Sequence, residues 1–427
     1  MHMNDKKTLL PKLRFQEFNS CPEWEITTLG EISEPIEEKV GSKNCILMSV
    51  TAGKGLVPQK EKFGREIAGN SYKNYYVIRG NDFAYNKSAT KQFPEGYIAM
   101  LTDYDEAALP NSIFTCFRIT EKECVPAFIN QLFQSNYHGK WLRKYIEVGA
   151  RAHGSLNVDC NYLWNMPIAL PQKKEQEKIV EVLSEIDKLI VSESSKLDVL
   201  KKHKIGLLQS LFPTYENKNP KKRFPDYLKS GMWKYVRLCD IADRVILKNK
   251  DNSIKRVLTN SAINGVVDQN EYFDREIVSE NNLSNYYVIE KGDYVYNPRI
   301  STLAPVGPIS KNKIGQGIMS PLYTVFRFKE EDYGFYEYYF KTTLWHKYIN
   351  NKSNTGARHD RINISTEDFM EMPVPVCPDS KEQLKIATFL KSMDNLIFEQ
   401  ENRIKTLQSH KKGLIVELFP SIEEVLK

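Results

Sequence analysis

Long apolar runs are missing from this 427-residue chain, and none approaches the roughly 18 residues that a membrane span needs. The N-terminus, MHMNDKKTLL, lacks the apolar core and small-residue cleavage site of a secretory signal, so a cytoplasmic location is expected. The seven cysteines, at 21, 45, 116, 124, 160, 239 and 377, are odd in number and scattered. No CxxC occurs among them, which argues against a zinc knuckle and against a disulfide framework. His153, His203, His359 and His410 show no metal-ligand spacing, so no metal site is expected. There is no Walker loop for ATP and no glycine-rich AdoMet loop after a strand. Tyr296-Asn297-Pro298-Arg299 comes nearest to the Asn-Pro-Pro-aromatic tetrad of amino-methylation, but lacks the second proline and the aromatic. Its counterpart, Tyr85-Asn86-Lys87-Ser88, has no proline at all. Pro225-Asp226 and Pro378-Asp379 are not followed by the E-x-K strand that a Mg²⁺ nuclease requires. Together these absences predict a non-catalytic chain with no cofactor of its own.

What is present is a repeat. PKLRF at 11–15 answers PKKRF at 220–224, and Trp24 answers Trp233. SVTAGKGLV (49–57) answers TNSAINGVV (259–267), NYYVIRGNDFAYN (74–86) answers NYYVIEKGDYVYN (285–297), and TCFRI (115–119) answers TVFRF (324–328). GARAHGSLNV (149–158) answers GARHDRINI (356–364), NMPIALP (165–171) answers EMPVPVCP (371–378), and GLLQSLFP (206–213) answers GLIVELFP (413–420). A collinear series of this kind marks a duplication. Each copy begins with a mixed part of short Val-, Ile-, Tyr- and Phe-rich strands between Gly and Asn turns. A modest helix, about 126–145 and 334–350, interrupts the strands in each copy. Each copy then ends in one proline-free helix, 172–211 and 379–418, bounded by Pro171 and Pro213 and by Pro378 and Pro420.

Apolar residues in the first helix step by four and three: Ile179, Leu183, Ile186, Ile190, Leu197, Leu200, Leu207 and Leu211. The second helix carries Ile386, Leu390, Met393, Ile397, Ile404, Leu407, Leu414 and Leu418. That spacing predicts a coiled-coil seam, interrupted at matching places by Glu193 and Gln400 and by Lys204 and Lys411. The short linker after Pro213 favours antiparallel pairing, which would hold two similar heads apart about a pseudo-twofold axis. An object of that form suits a DNA duplex, whose turns repeat about every 34 Å. The formal charge of +6 permits nucleic acid without demanding it. A two-headed coiled-coil scaffold that binds proteins without reading bases remains open at this point.

Several motifs carry a family resemblance. They are the proline-then-EQ helix starts (PQKKEQEKI at 171–179, PDSKEQLKI at 378–386), the G-A-R followed by an aliphatic-Asn-aliphatic triplet, the YN turn after a G/N-D pair, and the HKxGLxxxLFP helix ends. In this order, twice over, the chain resembles the DNA-specificity (S) subunit of type I restriction–modification enzymes across residues 11–420. The resemblance implies an α+β fold of two pseudo-twofold-related target-recognition domains separated by two long antiparallel coiled-coil helices. The expected boundaries are 11–170 and 223–377 for the recognition domains, 171–213 and 378–420 for the helices, and 214–222 for the linker. It further implies a bipartite asymmetric double-stranded DNA target with an unread gap, and a role in phage defence. Methyltransferase subunits would dock on the helices and motor-nuclease subunits would join them, with AdoMet, ATP and Mg²⁺ on those partners. Four residues inserted upstream of Leu207 or Leu414 would then change the gap and leave both half-sites alone.

Residues that read DNA should be polar or basic and lie where the copies diverge inside a shared frame. After the YN turn these are Asn86, Lys87, Ser88, Thr90 and Lys91 in the first copy, and Asn297, Arg299, Ser301 and Thr302 in the second. After G-A-R they are His153 and Ser155, and His359, Asp360 and Arg361. Arg151 and Arg358 are common to both copies, which suits phosphate or loop bracing better than discrimination. Ser49, Thr51, Thr259 and Ser261, before Gly55 and Gly265, are weaker candidates.

Overall fold

The computed structural model describes residues 8–68, 71–146, 156, 158–272, 280–353 and 360–426. The chain forms two compact units, residues 1–194 with 402–427, and residues 195–401. Two 39-residue helices, α1 (Lys173–Leu211) and α2 (Ser380–Leu418), therefore each begin in one unit and end in the other.

The first unit contains two four-stranded sheets. One runs Ser33–Pro35, Phe114–Ile119, Phe83–Asn86, Tyr97–Met100, all antiparallel. The other runs Gly55–Pro58, Ile46–Thr51, Glu106–Leu109, Tyr76–Arg79, with its central pair parallel. Side chains alternate across a strand, and Ala84 and Cys116 face Met48, Val50 and Ile78 in a core between the sheets. Phe83, Tyr85 and Phe117 point the other way, into a second core with Trp24, Phe128, Phe133 and the α1 residues Ile179 and Leu183. The end of α2 completes this core: Ile415, Leu418 and Phe419 are buried in it, with Phe419 5.0 Å from Phe128.

The second unit repeats the plan. Its sheets run Ala242–Arg244, Thr324–Phe328, Tyr294–Tyr296, Ile309–Lys311 and Gly265–Asp268, Val257–Ser261, Gly317–Met319, Tyr287–Ile289, again with a parallel central pair. Here the end of α1 is built in, with Leu207, Leu208, Leu211 and Phe212 buried beside Trp233, Phe335 and Tyr339. The GLLQSLFP and GLIVELFP stretches are thus core segments as well as helix ends.

Within each unit the helix segments run antiparallel. Lys411 meets Asp187 at 2.7 Å and Arg403 meets Glu193 at 2.9 Å in the first, while Lys204 pairs with Asp394 and Lys201 with Glu401 in the second. The two seam lysines thus face the same aspartate of the repeat. None of the sixteen seam residues is exposed.

The single helix expected over 126–145 is broken into Pro126–Gln134 and Tyr137–Leu142, because Asn136 adopts a left-handed φ of 60°. The counterpart over 334–350 is also split, into Phe335–Tyr339 and His346–Lys352.

His138 lies just after the first break and is fully buried, edge-on to Tyr85 and Phe133. Burial pulls its pKa down to about 4, against about 6.5 in an unfolded chain. Between those pH values the unfolded chain binds the proton and the folded one does not, so stability falls as pH drops from about 6.5 towards 4. The loss should reach about 3 kcal/mol at the acid end. His138→Phe should flatten this slope in urea titrations at pH 7 and pH 4.5; an unchanged slope would assign it to other groups.

Candidate nucleic-acid interface

The shared motifs resolve into a frame that holds one loop. Asp82 and Asp293, the acids of the G/N-D pairs, are buried. Each accepts a backbone N–H three residues back (Arg79, Glu290) and a side-chain bond from the next strand (Arg118, Arg327) at 2.6–2.7 Å. Three residues on, Tyr85 donates its hydroxyl to the Glu95 carbonyl at 2.8 Å, and Tyr296 to Val306 at 2.9 Å. These bonds close the loops 86–95 and 297–306 at their bases. Gly96 and Gly307 follow at φ 84° and 82°, where an added Cβ would fall 2.4 Å and 2.1 Å from the Asn86 and Asn297 carbonyl oxygens. No other residue type fits that closure.

Asn86 and Asn297 occupy the first position of each loop. Their side-chain oxygens accept from Ser88 N–H and Arg299 N–H at 3.0 Å, and their amide groups donate to Val50 and Asn260 carbonyls. Both therefore brace the turn from within the chain. Thr259 and Ser261 are buried and also engaged, Thr259 with the Tyr323 hydroxyl and Ser261 with Ile263 and Asn264 N–H groups.

The loop contents diverge. In the first unit Ser49, Thr51, Lys62, Ser88, Thr90 and Lys91 line a groove of about 650 Å³ together with Phe93 and Ile113. Thr90 and Lys91 are exposed, whereas Lys87 is half-buried with its ammonium 3.1 Å from the Cys160 sulfur. In the second unit Arg299, Ser301 and Thr302 are exposed. The post-G-A-R segment joins the same surface: Ile362 N–H donates to the Pro298 carbonyl, Ile300 N–H donates to Asp360, and Arg299 bridges Arg361 in antiparallel fashion. The first unit has the matching bond, Leu156 N–H to Lys87 carbonyl. Arg151, His153, Ser155, Arg358 and His359 lie outside the described residues.

Lys62, Gln92, Ile263 and Leu303 lie on this surface and are not among the expected readers. Lys62 reaches the Ser49 hydroxyl at 3.2 Å, and burial lowers its pKa. Ile263 and Leu303 are 72% and 70% exposed, and they line one groove of about 830 Å³ beside Thr302. Their counterparts in the repeat are Gly53 and Gln92, so the same two places are aliphatic in one unit and not in the other. The divergence that marks Lys91 also marks Gln92 and Leu303; restricting candidates to polar and basic residues hid the aliphatic pair.

The family described as type I restriction modification DNA specificity domain matches residues 22–202 and 231–408, one match in each copy of the repeat. The chain belongs to this family. It is a type I specificity subunit, a component for DNA target recognition and not a catalytic one. It is similar to the MjaVIII specificity subunit of Methanocaldococcus jannaschii, 27% identical over 303 residues that cover 65% of this chain and 67% of the relative. It is also 23% identical over 426 residues to a putative MjaX specificity subunit of the same organism, covering 93% of each. The fold is shared with a chain from a structure on complex assembly and conformational transition of the type I R-M system, at a TM-score of 0.57 and 17% identity, covering 93% of this chain and 98% of that one. Specificity subunits of such systems act with DNA and with methyltransferase and restriction subunits. Among the described residues no helix is long and apolar enough to cross a membrane, and no cluster of three His, Cys, Asp or Glu side chains could hold a metal ion.

Proposed function

We propose that each unit reads one half of a bipartite, asymmetric DNA target, that α1 and α2 set the unread gap, and that the bound subunit directs methylation and restriction by partner subunits. AdoMet, ATP and Mg²⁺ belong to those partners on this reading, and the complex works in the cytoplasm. The observation that carries it is the pinned loop: an identical frame of Asp, Tyr, Asn and Gly in both units, enclosing KSATKQFP in one and PRISTLAP in the other. A constant frame with divergent contents is what two different half-sites require, since base edges and not phosphates carry sequence information. Footprinting the subunit with its methyltransferase partner should give two protected patches about one helical turn apart; no footprint would overturn the reading.

Within the second unit Arg361 is the strongest candidate for a guanine contact, at the rim of a groove with Leu322, Tyr323 and Asn363. Arg361→Ala should relax one position of one half-site at a cost of about 1–3 kcal/mol, measured by binding to a panel of single-base variants. Ile263 and Leu303 suit thymine methyl groups, so uracil in place of thymine should weaken that half-site by about 0.8 kcal/mol per lost methyl contact. Equal affinity for the uracil duplex would remove the aliphatic pair from the reading surface.

A further inference from the structure

Inside each pinned loop sits a second, smaller closure. In the first unit Thr90 N–H donates to the Phe93 carbonyl at 3.0 Å, and Phe93 N–H donates back to the Thr90 hydroxyl at 3.0 Å. In the second unit Ser301 N–H donates to the Ala304 carbonyl at 3.0 Å. Ala304 N–H returns to the Ser301 carbonyl and hydroxyl, at 3.1 and 3.2 Å. The glycine after each loop ties in as well, Gly96 N–H to the Phe93 carbonyl and Gly307 N–H to the Ala304 carbonyl. The turns 90–93 and 301–304 thus share one bonding plan, although TKQF and STLA have no residue in common at matching places. The plan needs only a hydroxyl side chain at the first position, where Ser or Thr can accept from the turn backbone.

The bulk around the turns is compensated too. Phe93 lies edge-on to Tyr97, with ring centroids 4.9 Å apart, and a Cβ added to Gly53 would come 3.7 Å from the Phe93 ring. In the second unit Ala304 stands for Phe93 and Ile263 for Gly53. The large side chain moves from the turn to the neighbouring hairpin, and in each unit hairpin and turn line one groove.

The corners take no part in this closure. They are Lys91 and Gln92 in the first unit, Thr302 and Leu303 in the second, and all are exposed. Among the described residues the side chains of Lys91, Gln92 and Thr302 have no hydrogen-bond or ion-pair partner. Thr90, Ser301, Asn86 and Asn297, by contrast, spend polar atoms on the frame. A free side chain on a backbone already fixed by its own bonds is ordered at little further cost on binding. A glutamine so placed matches adenine bidentately through N6 and N7, whereas a leucine matches the thymine methyl.

We propose that these corner pairs are exchangeable reading elements, and that Gln92 selects an adenine of the first half-site through its major-groove edge. This rests on the reading that each unit takes one half-site, and adds the selecting residue and its base. Because the closure uses backbone groups and the hydroxyls of Thr90 and Ser301, Thr-Leu can stand at 91–92 without disturbing the frame.

The test titrates the full chain with its methyltransferase partner against duplexes carrying its target. In one set each base pair of the first half-site is changed in turn; in another, 7-deazaadenine replaces one unmethylated adenine. At one such adenine the loss of N7 should weaken wild-type binding at least about fivefold. Gln92→Leu should abolish that sensitivity and leave the preferences at every other position unchanged. Lys91→Thr combined with Gln92→Leu should make the same position prefer thymine over uracil by about fourfold. If Gln92→Leu weakens all duplexes alike, or changes nothing, while the wild type still discriminates among them, the assignment of Gln92 is overturned. A double variant indifferent to uracil overturns the exchange. A wild type blind to every change in the first half-site would instead overturn the half-site reading itself.

Discussion

Arg223→Ala should destabilise the second unit by about 3–5 kcal/mol, because it strands a buried carboxylate. Glu382 is fully buried and Arg223 grips both of its oxygens, at 2.6 and 2.7 Å. The hydrogen bond to Glu382 is also what raises the guanidinium's pKa above its ordinary value. With the arginine gone, the Cys377 thiol at 2.8 Å would be the remaining side-chain donor described for Glu382, and thiols are weak donors. Arg14→Ala in the first unit should cost less, since Glu175 keeps the Trp24 indole N–H at 3.1 Å. Hydrogen exchange read separately over the two units would resolve both effects. Replacing the second pair together, as Arg223→Met with Glu382→Leu, should recover most of the loss, since an apolar pair of similar volume needs no compensation. A loss below about 1 kcal/mol for Arg223→Ala alone would mean that water reaches Glu382 and that the pair is not buried in solution.

That clamp shows where the sequence was legible and where it was not. PKLRF and KEQ both stand out as repeated words, 161 residues apart between Arg14 and Glu175, but spacing alone cannot say that one answers the other. The long helices were readable to within a residue or two because periodicity over five heptads is a local signal. The same signal could not show that α1 ends inside the core of the second unit, a contact made by Phe212 with Phe335 at 5.0 Å. The YN turn is legible in the sequence but the bracing bonds of its asparagines are not, because a polar side chain next to a turn can serve the backbone as readily as a ligand. The helix break at Asn136 turns on a single left-handed residue, and a propensity sum over a window averages such a residue away. Exposed aliphatic residues at a candidate reading surface carry no sequence signature by themselves; only the fold, which sets Ile263 and Leu303 along one groove, distinguishes them from core positions.

Inserting four residues into both long helices should abolish recognition of the native target and create recognition of one with a longer gap. The structure revises where the insertion belongs. Placed just before Leu207, it would separate the Lys204–Asp394 pair from the core that holds Leu207 and Leu211. Placed between Ser194 and Ser195 and between Glu401 and Asn402, it falls at the boundaries of the compact units, so every ion pair within each unit survives. Four residues add about 6 Å and about 40° of rotation, and a four-residue stutter is absorbed in a coiled coil by local unwinding. One base pair adds about 3.4 Å and about 35°. The insertion therefore matches a gap one to two base pairs longer, whereas a seven-residue insertion adds about 10.5 Å with almost no net rotation and matches no nearby gap. Affinity for the original target should drop at least about 10³-fold, to the level of non-specific DNA. Methylome sequencing of a host carrying the variant with its methyltransferase partner would report the new target directly. Both half-site sequences should be unchanged in it, because the pinned loops 86–95 and 297–306 are untouched. An altered half-site at constant gap would show that the helices shape the reading surfaces instead of the distance between them.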